Sequence, residues 1–427
     1  MTAKALGIKS RVHANVLILP QSLFVAMWRL GFFFHEMGFG LLSVFLPLYV
    51  IAIGGSLVEV GILSATALFL AIPASFFWGY MSDRTRHYKR YILLSFFASA
   101  VLLYLFGLAS SVWSLILLYS LMSIVHVAHE APKNILIAEY YSRMDWEKSY
   151  ASYEGLTETG WLIGLVLGLF TSLSGFSGFA VLMVCSFLNL IAFGLSAVLV
   201  ADPLLVFERS LVSIEKSLNF VYQGSLIAAR VLDGKYVTEK LRRENIGAFS
   251  SSIVLFSFAT SMLFTPMPLF VSDVVKSAAI PIGFVFVVFM LNSGGGVLSY
   301  FFISRRSDFN SSKSGMQRIL LLRGLFSFLL LGVSAVGSAL YGVSLLTLIL
   351  VLLGVVNAFF VVLMLSISME LIPAGKAGLF NVLVGVGGAC GSLIGPLIAS
   401  QQWGFAGVFV VAGAIFLGAY VVLKWFF

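Results

Sequence analysis

Twelve apolar runs, each near the length needed to cross a bilayer, leave this chain of 427 residues few folds to choose from. A spanning helix takes about 20 mostly apolar residues. The runs fall at 23–52, 56–80, 90–110, 112–139, 149–172 and 178–200, then at 246–271, 278–303, 317–338, 341–367, 377–399 and 403–425. Charged residues make up 10% of the chain and hydrophobic ones 60%, with a mean hydropathy of +1.04. A soluble domain averages about 25% charged residues. The expected class is therefore an all-α polytopic membrane protein.

The charges give that bundle an orientation. Connections after the even-numbered runs hold most of the Lys and Arg: Arg84 to Arg90, Arg143 and Lys148, Arg209 to Arg243, Arg305 to Lys313, and Lys376. The alternate connections, from Gly54-Gly55 to Gln401–Gly404, hold Lys276 alone. Short basic loops stay in the cytoplasm, so both termini are expected there, with the chain in the plasma (inner) membrane. The net charge of +8 is spread over these loops and does not point to nucleic acid. Cys185 and Cys390 each lie inside an apolar run, which argues against a disulfide framework or metal site. Residues 1–15 carry Lys4, Lys9 and Arg11 but lead into a full-length apolar run, so no cleavable signal peptide is expected.

The polar stretch 201–245 divides the chain into a first half, 1–200, and a second, 246–427. About 45 residues cannot build a catalytic domain, and their apolar spacing suits amphipathic helices at the inner membrane surface. The halves read as copies. Phe45-Leu46-Pro47-Leu48-Tyr49-Val50 recurs as Pro266-Met267-Pro268-Leu269-Phe270-Val271, Gly61 as Gly283, and Ser82-Asp83-Arg84 faces Ser304-Arg305-Arg306. The fifth run carries Gly160, Gly164 and Gly168; the eleventh carries Gly387, Gly391 and Gly395. Glycine at every fourth position lets two membrane helices approach closely.

Between the second and third runs lies Gly79-x-x-Ser82-Asp83-Arg84, followed by Arg86, Lys89 and Arg90. This pattern resembles the loop between the second and third helices of major facilitator superfamily transporters. The repeat extends the resemblance over essentially the whole chain. It implies twelve transmembrane helices in two pseudo-symmetric six-helix halves, with helices 1, 4, 7 and 10 around a central pathway. It further implies a cytoplasmic gate. Asp83 would cap the start of helix 11, Arg84 would pair with Glu139, and by symmetry Glu370 would meet Arg305 or Arg306. The sequence departs from the family pattern at Thr85-Arg86-His87-Tyr88, where the usual second glycine and tight Arg-Arg ending are missing.

Ionisable residues inside membrane helices are costly and face protein or water. The fourth run holds His126, His129, Glu130 and Lys133 at i, i+3, i+4 and i+7, one helical face that extends to Ser123 and Tyr119. The fifth carries Tyr150, Glu154, Glu158 and Trp161 on one face; the first carries Arg29, Glu36 and Ser43, with His35 beside Glu36. The expected pairs are Glu130 with Lys133, and Glu36 or Glu154 with Arg29 or Lys133. A carboxyl left without a cation in low dielectric holds its proton more tightly, the property a proton carrier needs. The second half offers neutral groups at mid-depth: Asn357 in the tenth run, Thr260, Ser261 and Thr265 in the seventh, Asn292 and Ser293 in the eighth.

These features point to secondary active transport of a small solute, proton-coupled, by a monomer with no cofactor and no metal. No Gly-x-x-x-x-Gly-Lys-Ser/Thr loop is present, which removes direct ATP drive. Two other readings stay open: a non-transporting sensor or scaffold of the same fold, and an intramembrane metalloenzyme with His126 and His129 as ligands.

Overall fold

The computed structural model describes residues 27–140, 146–202, 246–305, 313–335, 338–371 and 377–426. Twelve helices there are long and apolar enough to cross a membrane, and there is no strand among the described residues. The first half runs α1 (Leu30–Ala52), α2 (Leu57–Thr85), α3 (Tyr88–Gly107), α4a (Val112–His126), α4b (Glu130–Tyr140), α5 (Trp146–Leu173) and α6 (Gly178–Leu199). The second runs α7a (Ile246–Phe264), α7b (Met267–Ser277), α8 (Phe284–Arg305), α9a (Lys313–Leu329), α9b (Leu331–Ala335), α10 (Ala339–Leu371), α11 (Ala377–Ala399) and α12 (Gly404–Phe426). The expected amphipathic linker at 201–245 lies, beyond Asp202, outside the described residues.

Three elements depart from the pattern read in the sequence, each for a local reason. The gate segment is not a loop: α2 continues to Thr85 and only Arg86 and His87 separate it from α3. Nothing before Arg86 breaks the helix, and Arg84 in the last turn suits the negative end of its dipole. Arg86 then takes a left-handed φ of 54° and its N–H returns to the Ser82 carbonyl, closing the helix. The fourth helix is interrupted by a 3-10 turn at Val127–His129. Pro132 has no N–H to give the Ala128 carbonyl, and its ring crowds that carbonyl. The seventh helix breaks at Thr265 and Pro266, whereas Pro47 sits inside an unbroken α1.

The glycine runs explain how the halves are built. A Cβ on Gly160 would meet the Phe33 carbonyl of α1, and one on Gly164 would meet the Met37 carbonyl and the Leu41 nitrogen. In the second half, Gly387 faces the Val254 carbonyl of α7a, and Gly391 faces the Phe258 carbonyl and the Met262 nitrogen. The partners keep a constant offset within each pair of helices, 221 residues between α1 and α7a and 227 between α5 and α11. The two halves thus share a backbone register residue for residue. Two seams join them, α5 on α8 and α2 on α11. Gly283, just ahead of α8, packs on Ser172 and Leu173 in one seam, and Gly61 packs on Pro396 and Ser392 in the other.

Candidate functional site

The polar stripe of the fourth helix does not form one face on one chamber. The 3-10 turn divides it. Glu130 and Lys133 turn one way: Lys133 Nζ donates to Glu130 Oε2 at 2.6 Å and lies 5.6 Å from the Tyr153 ring centre. Glu130 keeps 34% of its side chain exposed and Lys133 12%. His126 and His129 turn toward α1 and α3, where His129 is 1% exposed, while His129 Nε2 stays 3.2 Å from Glu130 Oε1 and keeps the two parts of the stripe in contact. Ser123, read on the same face, donates to the Ala67 carbonyl of α2 and so serves helix packing.

Around Glu130 and Lys133 the structure gathers residues of α1 and α5. Glu36 interacts electrostatically with Lys133, Glu130, Glu154 and Glu158, and Lys133 with Glu154. Glu36, Glu154 and Glu158 all keep partial exposure. Glu158 accepts a hydrogen bond of 2.6 Å from Ser293 of α8, which carries the cluster across the α5–α8 seam. Arg29, just ahead of α1, donates to Ser152 at 3.2 Å. Trp28 stacks on Tyr153 with Phe32 edge-on to both, so an aromatic wall closes this side. Four carboxyls and one ammonium thus interact within the first half, and Glu158 alone of them is bonded to the second.

The second half is not the neutral surface read from its sequence. Arg323 on α9a is fully buried and lies outside the neutral groups expected of this half. Its guanidinium donates to Thr260 at 3.0 Å and to Asn357 Oδ1 at 2.5 Å, and lies 4.8 Å from the Phe256 ring centre, with Phe264 and Phe416 farther round. Asn357 is therefore occupied by an arginine. Tyr300 of α8 interacts with Glu154 and Glu158 on one side and Arg323 on the other, linking the two clusters. A lone Arg in the middle of an apolar run is a signal in its own right, and could have found this site.

Of the gate residues, Gly79 lies on α2 with open space where a Cβ would be, Asp83 and Arg84 are exposed, and Arg84 donates to Tyr80 of its own helix at 3.3 Å. Arg305 ends α8 and is exposed. Arg306 and the side chains of Glu139 and Glu370 lie outside the described residues. A contact the loop reading did not foresee is Asp202, whose Oδ1 accepts from the Lys89 N–H at 2.8 Å at the start of α3, where a helix favours an anion.

Two six-helix halves with one backbone register, and a polar cluster across the seam between them, define a membrane transporter. The chain belongs to the major facilitator superfamily, whose family model matches residues 30–380. The multidrug resistance protein MdtG of Proteus mirabilis (strain HI4320) is 36% identical over 111 residues, 25% of this chain; the match spans 27% of that protein's length. The fold is also that of the human organic anion transporter MFSD10 (TETRAN), with a TM-score of 0.68 at 16% identity over 95% of this chain and 100% of that one. The nucleoside transporter NupG gives 0.65 at 14% identity over 94% and 98%. A structure from work on substrate recognition in proton dependent oligopeptide transporters gives 0.71 at 13% identity over 94% and 99%.

Proposed function

We propose that this protein moves a small solute by alternating access, with proton coupling through Glu36, Glu130, Glu154 or Glu158. It does so as a monomer in the plasma (inner) membrane, with both termini cytoplasmic. The observation that carries the reading is the imbalance beside the seam: four carboxyls interact with one another, and only Glu36, Glu130 and Glu154 of them with Lys133. A proton taken up there lowers the charge that must be enclosed when the halves rock together. Glu158 is the group that would feel the rocking, since its hydrogen bond to Ser293 crosses the moving boundary. The gate assigned to Gly79, Asp83, Arg84, Glu139, Arg305, Arg306 and Glu370 would close the pathway at the basic end. His126, His129, Arg29 and Asn357 would act around it: Arg29 and Asn357 through their bonds to Ser152 and Arg323, His129 through Glu130.

Proteoliposomes test the proposal. The cargo panel takes its chemistry from the similar proteins: a nucleoside, an organic anion, an oligopeptide and a drug. Accumulation of one of these against its gradient, only when a pH gradient is imposed, is the expected result. Glu130→Gln and Glu154→Gln should each cut pH-driven transport by an order of magnitude or more. If transport proceeds undiminished in both, those two carboxyls do not couple it. A protein that binds a member of the panel and never moves it would be a sensor of the same fold, and the transport reading would fall.

A further inference from the structure

We propose that His35, His126 and His129 form a binding site for a divalent transition-metal ion of the zinc type, with Glu130 supplying an oxygen ligand. This goes beyond solute transport and does not rest on it. His126 and His129 come from the end of α4a and the 3-10 turn after it and His35 from α1, so no sequence spacing announces the third ligand. Their ring centroids make a triangle with every side 4.9 Å. One ligand nitrogen from each lies within 4.8 Å of the other two, and His35 Nε2 is 3.2 Å from His126 Nδ1. Zinc–nitrogen bonds of about 2.0–2.1 Å in tetrahedral geometry place ligand atoms about 3.3 Å apart, so the nearest pair already has the required separation.

The surrounding hydrogen bonds leave a free lone pair on one nitrogen each of His35 and His129. Asn189 Nδ2 donates to the Cys185 carbonyl, which leaves its Oδ1 to accept from His35 Nδ1 at 2.6 Å. His35 Nε2 then carries a lone pair. Ser95 spends its hydroxyl proton on the His126 carbonyl, so its oxygen accepts from His129 Nδ1 at 3.1 Å. His129 Nε2 then also carries a lone pair, and it faces Glu130 Oε1 at 3.2 Å, acceptor against acceptor. A cation between them resolves that conflict. Three imidazoles and a carboxylate select a transition metal over calcium or magnesium, which prefer all-oxygen shells. Asn189 and Ser95 are the outer partners that orient metal-bound imidazoles. Phe32, Phe39 and Phe96 wall the site, while partly exposed His126 and Glu130 give the ion a way in.

The test uses the full-length protein in detergent, stripped with a chelator and titrated with Zn²⁺ and Co²⁺. The expected result is one ion per chain and the intense visible bands of tetrahedral Co²⁺, displaced by Zn²⁺. Asn189→Ala should weaken binding about 10–100-fold, the usual cost of losing an outer partner, and His126→Ala should abolish the Co²⁺ bands. A variant lacking His13 and His87, the other two histidines, should bind as the parent does. Absence of the Co²⁺ bands in the unmodified protein overturns the proposal by itself, leaving a proton as the cation between His129 and Glu130. Bands that persist in His126→Ala, or vanish with His13 and His87, overturn it equally.

Discussion

The interiors of the two halves occupy matching places in one repeat and hold opposite chemistry. In the first, α1, α3, α4 and α6 surround His35, His126 and His129, with Ser95 and Asn189 bonded to them. In the second, α7, α9, α10 and α12 surround Arg323, with Thr260 and Asn357 bonded to it and Phe256 and Phe416 against it. The offset that relates α1 to α7a places Phe256 where the first half has His35. One bundle encloses groups that can give up their charge; the other encloses one that cannot. The glycine contacts that set the helices' spacing are the same in both. Scaffold and chemistry are therefore specified separately here: backbone approach by glycine, charge by the residues enclosed.

The sharpest way to break that comparison is to strip the arginine of its acceptors. Asn357→Leu leaves a buried cation with Thr260 and three rings, and losing a hydrogen bond to a charged group costs about 1.5–3 kcal/mol. Thermal unfolding in detergent should show the loss. Arg323→Met, which removes the charge itself, should cost far less. If the order is reversed, the guanidinium is not a buried charge held in place by its acceptors. The next largest effect belongs to the shared scaffold: Gly164→Leu and Gly391→Leu each force a side chain into backbone, at about 1–3 kcal/mol or more. Equal losses support the common register; a loss in one half alone disproves it. A third change moves one half toward the other. His35→Phe installs the residue found at the matching place, leaves Asn189 Oδ1 unpaired in the core, and should cost about 1–3 kcal/mol.

What the sequence disclosed followed from periodicity. Twelve helices, two halves and the glycine stripes all come from patterns within one segment or from matching segments. Where the site depended on partners from other helices, the sequence was silent. Glu130 and Lys133 are one turn apart and paired as expected, but His35 was noted only as a neighbour of Glu36, because its partners sit on α4 and α6. Arg323 differs: its charge inside an apolar run is legible, while the groups that hold it belong to α7a and α10 and are not. The division of the fourth helix's stripe could have been foreseen from Pro132, whose ring disturbs the turn before it.

The two seams differ as the two interiors do, and they give the finest of these tests. The α2–α11 seam meets through Gly61 on Pro396, Leu68 on Gly388 and Ile72 on Gly385; the α5–α8 seam carries the bond from Ser293 to Glu158. Ser293→Ala removes that bond from a carboxyl group, worth about 1.5–3 kcal/mol when the acceptor is charged and about 1 when it is neutral. Glu158→Gln keeps an acceptor oxygen for Ser293, so its effect on stability should stay within about 0.5–1 kcal/mol. Measured side by side across pH, the pair separates the charge of Glu158 from its role as an acceptor. If Ser293→Ala costs the same amount at every pH, Glu158 does not change charge in that range, and the seam is held by a simple hydrogen bond. A cost that shrinks as the pH falls marks Glu158 as a group that takes up a proton at the boundary between the halves.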